Sequence, residues 1–339
     1  MDDGKPRVTI AIASSEDEAR IEDTLRSALA QDYPRELVEI LVADAMSMDG
    51  TREIVLRIAA EEPRVRLLAN PKRTRAAALN EILRAGTGEI FVPIDPGSEY
   101  GRTHVSKCVA ALATSPADHV AIVPRATGRT LVERSLSAVQ KTKLAFAAGA
   151  DLALGPEPVP ALLGAVRRRV FDRIGLFDPE TRVEEDDELA HRISASGGAV
   201  TVRRDIVVHR TEAASFKELF KRQYLLGRSR GRRTIKERRL PSIRTLGPLA
   251  LVVGAGALAA TSSIQPLTPI ALAAYALVTG AAAVRVSRGE GLATFPIAWA
   301  AYPVMHAAHG AGFGAGLVRA LVRPDWAPAA PRIDEAEPA

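Results

Sequence analysis

The longest uncharged stretch of the chain sets the strongest limit on how it can fold. No Asp, Glu, Lys or Arg lies between Arg244 and Arg285, so residues 245–284 form a run of 40 uncharged residues. A helix that rises about 1.5 Å per residue would be about 60 Å long here, roughly twice the thickness of a bilayer core. Hydroxyls, an amide and two prolines interrupt the run at residues 261–269. The sequence therefore predicts two membrane spans joined by a turn.

A second uncharged stretch, residues 291–318, is long enough for a third span, although two prolines, two histidines and several glycines interrupt it. We therefore predict two to three transmembrane helices within residues 245–320, with buried core helices of a soluble protein as the alternative. Basic residues flank the first span on its N-terminal side, which places the preceding region in the cytoplasm. The polar start predicts no secretion signal. The expected location is the plasma membrane, with a multi-pass anchor, a cytoplasmic N-terminal domain and a Pro/Ala-rich tail at residues 321–339.

A strongly basic segment precedes the first predicted span. Residues 217–244 contain eleven Lys and Arg and two Glu, a net charge of +9 in a chain whose total is +5. Leucine and aromatic residues recur between these charges at helical spacing. Because a span follows directly, residues 213–244 are predicted to form a basic amphipathic helix on an anionic membrane surface. Nucleic-acid binding is the alternative use of such charges, and we expect no nucleic-acid partner.

The N-terminal part alternates between short apolar runs and segments with helical spacing. The predicted strands are residues 8–13, 37–43, 65–68 and 89–94, and the predicted helices include residues 18–30 and 75–85. This rhythm predicts an α/β fold, a mostly parallel sheet flanked by helices, in which ligands bind beyond the carboxyl ends of the strands. No glycine-rich loop follows the first strand. A nicotinamide enzyme and a P-loop enzyme are therefore both disfavoured.

Acidic residues lie at the predicted ligand edge of the sheet and in a separate run near residue 186. Asp44 and Asp95 each end a predicted strand, and Asp49 follows shortly after the first of these. Residues 184–188 are five consecutive acids at the start of a helical pattern. Acids at a helix start commonly face solvent and complement the helix dipole. If they are instead brought together in a site, their repulsion requires a cation or a proton.

The order and spacing of several motifs resemble the family 2 glycosyltransferases with the GT-A fold, and among them the membrane-bound type of succinoglycan and exopolysaccharide synthesis. Asp44 with residues 47–51 is similar to the D-x-x-S-x-D-G-T motif of that family, and residues 185–192 are similar to E-D-D-E-L-x-x-R. Further similar segments lie at residues 25–34, 70–80, 170–178, 222–228 and 305–313. The resemblance implies that residues 1–212 form a cytoplasmic GT-A-like glycosyltransferase domain.

The resemblance also implies a reaction, the inverting transfer of a sugar from a nucleoside-diphosphate sugar to a lipid-linked or polysaccharide acceptor. Asp186 is the expected catalytic base, with Glu185 and Asp187 as adjacent alternatives. A divalent cation, Mn²⁺ or Mg²⁺, is expected at Asp95. The residues expected to bind the nucleotide sugar are Ala13, Ser14, Glu16, Asp44, Asp49, Arg73, Asn80 and Asp95. Those expected at the membrane interface are Arg222, Gln223, Tyr224 and Arg228.

Four residues depart from the family pattern at the predicted donor site. The metal motif has Gly97 where the family has Asp or His, so one ligand position is lost. Ala13 stands where the family usually has Pro, and Ala45 and Met46 replace small glycines. For Asp44, a turn-forming role is the alternative to a nucleoside contact. The departures predict reduced activity or, as an alternative function, a non-catalytic GT-A-like membrane partner in a polysaccharide assembly complex.

Overall fold

The computed structural model describes residues 4–142, 144–145, 162–179, 181, 183, 185–211, 213–236, 243–260, 268–322 and 324. These residues form two compact units. The first contains the described residues up to Arg125 and from 162 to Arg210, and the second contains those from Ala126 to 145 and from Thr211 to 324. The division differs from the predicted N-terminal domain of residues 1–212, because residues 126–145 group with the helical unit.

The strands are β1 (Val8–Ser14), β2 (Val38–Asp44), β3 (Val65–Ala69), β4 (Ile90–Pro93), β5 (Ser98–Tyr100), β6 (His119–Ile122), β7 (Arg125–Thr127), β8 (Leu162–Arg167), β9 (Val200–Arg203) and β10 (Val208–Thr211). The helices are α1 (Ile21–Leu29), α2 (Thr51–Glu61), α3 (Arg75–Ala85), α4 (His104–Ala113), α5 (Leu131–Gln140), α6 (Arg169–Ile174), α7 (Glu185–Ala195), α8 (Phe216–Lys236), α9 (Ile243–Ala260), α10 (Thr268–Glu290) and α11 (Phe295–Val322).

A seven-stranded sheet with the order β3-β2-β1-β4-β8-β6-β9 forms the centre of the first unit. β1 pairs in parallel with β2 and β4, β2 with β3, and β6 with β9, whereas β8 runs antiparallel to both β4 and β6. Ser14 lies opposite Asp44, and the Ile94 amide donates to the Ala11 carbonyl. The residues that follow β1, β2 and β4 therefore meet at one edge. The predicted mostly parallel sheet flanked by helices is confirmed.

Helices cover both faces of this sheet because its strands are apolar on both sides. Ile10, Ile40 and Val92 contribute to a buried cluster that also contains residues of α1, α2 and α4. Ala11 and Phe91, one position away, point into a second cluster with residues of α3, α6 and α7. Strands that are buried on both faces are typical of parallel sheets between two helical layers. This packing fixes the strand ends that carry the polar residues.

The second unit is helical, and glycines bring two of its helices into close contact. A Cβ atom at Gly227 or Gly231 of α8 would overlap the backbone carbonyl of His309 or Phe313 of α11. Reciprocally, a Cβ atom at Gly312 of α11 would overlap the Tyr224 carbonyl. Glycines four residues apart lie on one helix face and let two backbones approach closely. The predicted interfacial segment is thus a packed helix.

The four residues predicted at the membrane interface all lie on α8. Gln223 is buried, with 2 % of its surface exposed, while Arg222, Tyr224 and Arg228 are partly exposed. The backbones of Tyr224 and Arg228 face Gly312 and Gly316 of α11. Membrane contact by these side chains stays a prediction.

Replacing Gly312 by Ala is expected to destabilise the helical unit by about 1–3 kcal/mol, because the new Cβ atom would meet the backbone carbonyl of Tyr224, which cannot move aside as a flexible side chain could. Gly254→Ala is the matched control, since nothing lies within 4 Å of a Cβ atom there. Alanine raises helix propensity at both positions by a similar amount. Melting temperatures of the full chain in detergent measure the difference. Equal values for the two variants would contradict the close α8–α11 contact.

Among the described residues, α10 is the one helix long and apolar enough to cross a membrane by length and composition. Its Ile270, Leu272 and Leu277 are 67 %, 63 % and 76 % exposed. The predicted turn at residues 261–267 and the tail from residue 325 onward lie outside the described part. The described helices therefore do not support the predicted multi-pass arrangement. The glycines and histidines of α11, which weakened the third span, are largely buried.

Candidate active site

Three loops at the carboxyl edge of the sheet carry unusual backbone conformations. Glu16, Met46 and Arg73 have φ angles of 53°, 58° and 55°, and they are the non-glycine residues with positive φ in the described part of the chain. They follow β1, β2 and β3, respectively. Such conformations are costly for side chains with a Cβ atom and cluster at functional sites. Their position indicates that this edge is the functional one.

The loops after β1 and β2 are joined by hydrogen bonds. The Glu16 amide donates to Ser47 Oγ at 2.9 Å, and the Met48 amide donates to Glu16 Oε1 at 2.9 Å. The Glu18 amide donates to Asp49 Oδ2 at 3.1 Å. Asp49 also accepts from the amide and hydroxyl of Thr51, at the start of α2. The hydroxyl bond lowers the pKa of the Asp49 carboxyl. Both loops are consequently held in one conformation.

Asp44 has a structural role in this arrangement. Its side chain has no exposed surface, and it accepts hydrogen bonds from the amide and hydroxyl of Ser47. The Arg52 guanidinium lies 3.2 Å from its Oδ2 atom. These contacts are those of a turn-forming aspartate, the alternative that the sequence left open. A nucleoside contact by this carboxylate stays a prediction.

The most highly connected side chain of the edge is Arg75, the first residue of α3. Its Nε donates to Asp95 Oδ1 at 2.9 Å. Its Nη1 donates to Glu185 Oε1 at 2.7 Å and to Asp186 Oδ1 at 2.9 Å. Thr74 caps α3 by accepting from the Ala77 amide, and its hydroxyl donates to the Pro179 carbonyl. One guanidinium therefore joins the acid after β4 to the acids at the start of α7.

The electrostatics of this cluster follow from burial and from the excess of acids. The carboxylates raise the pKa of Arg75 well above its ordinary value, although burial alone would lower it. Burial would raise the pKa of Asp95, but the charges of Arg75 and Arg210 outweigh it and the pKa is lowered. Burial raises the pKa of Glu185, and the neighbouring Asp186 charge adds to this. The pKa of the Glu185 carboxyl is thus raised although the charge of Arg75 opposes the shift.

The structure distinguishes two of the three acids predicted for catalysis. Glu185 has 9 % of its side chain accessible, and its Oε2 atom is buried with no hydrogen-bond partner among the described residues. Asp186 is partly exposed, with 14 % of its side chain accessible. The side chain of Asp187 lies outside the described part. Asp186 is therefore better placed than Glu185 to receive a proton from an arriving molecule.

Two other predicted donor-binding residues lie in different surroundings from those expected. Asn80 is 2 % exposed and binds the Phe177 carbonyl and amide, each at 2.9 Å. Its amide supports the segment before the acid run, and donor binding by this residue stays a prediction. Arg73 is exposed on its loop, and the guanidinium that reaches the acids belongs to Arg75. The sequence analysis did not predict Arg75 as a site residue, although it identified the segment of residues 70–80 in which Arg75 lies.

The remaining predicted residues line the same edge. Ala13 is partly buried near the end of β1, and Ser14 Oγ donates to Asp17 Oδ2 at 3.2 Å. Asp95 begins the turn to β5, where its amide donates to the Tyr100 hydroxyl at 2.9 Å. Burial raises the pKa of that hydroxyl, so it stays protonated.

The side chains near Asp95 do not fit a cation site built by the protein alone. Asp95 Oδ1 is already paired with Arg75, and Gly97 offers no side-chain ligand. The described residues contain no group of three or more His, Cys, Asp or Glu side chains arranged to hold a metal ion. The predicted divalent cation at Asp95 therefore stays an expectation based on the family resemblance.

The sheet order, the covered faces and the acidic edge are those of the GT-A fold. Residues 9–175 match the family model described as "Glycosyl transferase family 2", so this part of the chain is a domain of that family. The chain is 29 % identical over 280 residues to the succinoglycan biosynthesis protein ExoA of Rhizobium meliloti (strain 1021). This alignment covers 81 % of this chain and 84 % of that protein. The structure is similar to the mannosyltransferase PcManGT from Pyrobaculum calidifontis, solved in complex with GDP-Man and Mn²⁺. The TM-score is 0.59 at 24 % identity, with 93 % of this chain and 88 % of that chain covered.

Proposed function

We propose that this protein is an inverting glycosyltransferase that uses a nucleoside-diphosphate sugar and acts in exopolysaccharide biosynthesis. The acceptor is a lipid-linked or polysaccharide hydroxyl at the inner face of the plasma membrane. The observation that carries the proposal is the cluster in which Arg75 joins Asp95, Glu185 and Asp186 at the ligand edge of a family 2 domain. The similarity to a succinoglycan biosynthesis protein supports the polymer class.

The reaction requires a base and a stabilised leaving group. The acceptor oxygen attacks the anomeric carbon from the side opposite the diphosphate, and the bond between that carbon and the diphosphate oxygen breaks. The electron pair of this bond leaves with the nucleoside diphosphate. The acceptor proton passes to the Asp186 carboxylate, because an alcohol is a weak nucleophile unless its proton is removed during the attack. Attack from the opposite side inverts the configuration of the sugar.

The two acids at the start of α7 would then have different tasks. Asp186 acts as the base, since it is the more accessible of the two. Glu185, with its raised pKa and unpartnered Oε2 atom, is suited to hydrogen-bond a sugar hydroxyl. Arg75 keeps both carboxylates in place and adds positive charge beside the departing diphosphate.

The helical unit supports attachment to a membrane. α10 has the length and composition of a span, and its exposed large side chains are apolar. α8 belongs to the same unit and carries most of the basic residues before the first predicted span. A basic helix that adjoins an apolar one is typical of proteins at an anionic cytoplasmic leaflet. We infer that α10 anchors the protein and that α8 lies at the membrane surface.

A donor screen tests the proposal. The full chain in detergent or nanodiscs is incubated with UDP- and GDP-sugars and a lipid extract from exopolysaccharide-producing cells. We expect release of one nucleoside diphosphate together with sugar transfer to the lipid fraction, and an inverted anomeric configuration in the product. Tight donor binding without release or transfer would instead support the alternative, a non-catalytic partner of an assembly complex. That alternative is motivated by Gly97 in the metal motif.

A further inference from the structure

A cationic side chain from the segment after β1, Arg20, lies beside the turn that follows β4. Gly97 has a φ angle of +82°. A Cβ atom at this position would lie 3.2 Å from Cδ and 3.3 Å from Nη1 of Arg20. The third position of the family metal motif normally carries an acid or a histidine. Here the guanidinium of Arg20 lies directly beside the space that such a side chain would occupy.

Arg20 is held in this place while remaining accessible. Its Nη2 atom lies 2.8 Å from Asp17 Oδ1, and 57 % of its side chain is exposed. Asp17 is itself buried and fixed, because it accepts hydrogen bonds from Ser14 Oγ and the Ser15 amide, and its own amide donates to Thr51 Oγ1. The loop after β1 thus positions one charged group over the turn that follows Asp95.

Charge decides what this arrangement can bind. A divalent cation beside Gly97 would meet the Arg20 guanidinium and a carboxylate already paired with Arg75, and both features disfavour it. A diphosphate carries negative charge on several oxygens, and the planar fork of a guanidinium matches two of them at once. Arg20 therefore places one exposed guanidinium, a donor for phosphate oxygens, on the side where the family places a metal ligand.

We propose that Arg20 binds the diphosphate of the donor, and that Arg20 and Arg75 together supply the positive charge that a cation supplies in relatives with an intact metal motif. The proposal rests on the proposed function, because it names how that same site holds its nucleotide. It explains why Gly97 is tolerated, since a larger residue would displace the Arg20 side chain. It also assigns a role to a residue that no motif marks.

Calorimetry with the full chain tests this assignment. UDP and GDP are titrated with EDTA or with Mg²⁺ present, and uridine and guanosine are titrated in parallel. Wild-type protein is expected to bind one of the two diphosphates within about 3-fold of the same affinity in both buffers. Arg20→Gln is expected to weaken diphosphate binding by about 10- to 100-fold, the effect of losing a charged hydrogen-bond donor, and to leave nucleoside binding unchanged.

Arg35→Gln is the matched control. Arg35 is also exposed and paired with one carboxylate, that of Glu62 at 2.6 Å, but it precedes β2 and so lies at the opposite edge of the sheet. We expect no change in diphosphate affinity for this variant. The double variant Arg20→Gln with Gly97→Asp, which restores an acid and removes the cation, is expected to regain diphosphate affinity only when Mg²⁺ is present.

Three results would overturn the assignment. They are unchanged diphosphate affinity in Arg20→Gln with a wild-type melting temperature, an equal loss of nucleoside affinity, and wild-type diphosphate binding that disappears in EDTA. If the wild type transfers sugar in the donor screen and any of these results is found, the role of Arg20 is wrong and the proposed function stands. If the wild type binds neither diphosphate in either buffer, both proposals are wrong.

Discussion

Asp186→Asn is expected to lower the sugar transfer rate by about 10²- to 10⁴-fold while changing donor affinity little. An amide of the same shape keeps one acceptor oxygen for Arg75 but cannot take the proton of the acceptor hydroxyl, and removal of a general base has effects of this size. Transfer of labelled sugar to the lipid fraction measures the rate. Calorimetry with the donor measures affinity, so that catalysis and binding are separated.

Two comparisons make the Asp186 result specific. Asp205→Asn alters an acid that is 57 % exposed and paired with Arg203, and it should leave transfer unchanged. Glu185→Gln should act chiefly on donor affinity, because that side chain is assigned to a sugar hydroxyl and its pKa is raised. A transfer rate within 3-fold of wild type for Asp186→Asn would remove Asp186 as the base. A loss in Glu185→Gln confined to the rate would move the role to Glu185.

Arg75→Met is expected to lower the stability of the chain by about 3–5 kcal/mol, because three carboxylates that share one guanidinium would be left together and mostly buried. Methionine is unbranched and flexible like the aliphatic part of arginine, but it is shorter and carries no charge. The melting temperature of the full chain measures the effect. Diphosphate binding should also weaken, since the positive charge beside the leaving group is lost.

Arg84→Met is the control for this change. Arg84 lies on the same helix as Arg75 and has similar exposure, 28 % against 23 %, but it makes a single ion pair with Glu81 three residues earlier. Pairs of this kind contribute well under about 1 kcal/mol. Arg75→Lys should recover part of the lost stability, as one ammonium cannot reach three acids in the geometry of a fork. Equal stabilities for the Arg75 and Arg84 variants would contradict a central role of the cluster.

The alternation of strands and helices up to Asp95 was predictable because buried strands and amphipathic helices have different periods. The edge on which the acids lie followed from the same pattern, since parallel strands end together. The pairing of Asp95 with the acids of α7 was not predictable. It depends on the reach of the Arg75 side chain, one residue after the cap of α3, whereas the family motif marks Arg73.

The partners of Asp44 and Asn80 were also not predictable from the sequence. Their residue types suit ligand binding, but a motif does not tell whether an oxygen faces a ligand or a neighbouring loop. Ser47 and Arg52 occupy the Asp44 carboxylate, and the Phe177 backbone occupies the Asn80 amide. Ser47 and Arg52 are close to Asp44 in the sequence, whereas Phe177 lies 97 residues beyond Asn80 and is brought to it only by the fold.

The glycine contact between α8 and α11 has a consequence for how the protein is made. Gly227 and its partners on α11 are more than 80 residues apart. At synthesis rates of about 5–20 residues per second, the ribosome needs several seconds to produce the missing helix. During that interval the face of the nascent α8 that carries Gly227 and Gly231 cannot yet pack against α11. The helical unit can therefore close only after α11 has left the ribosome, and a chain cut before α11 is a candidate for recognition by chaperones and proteases.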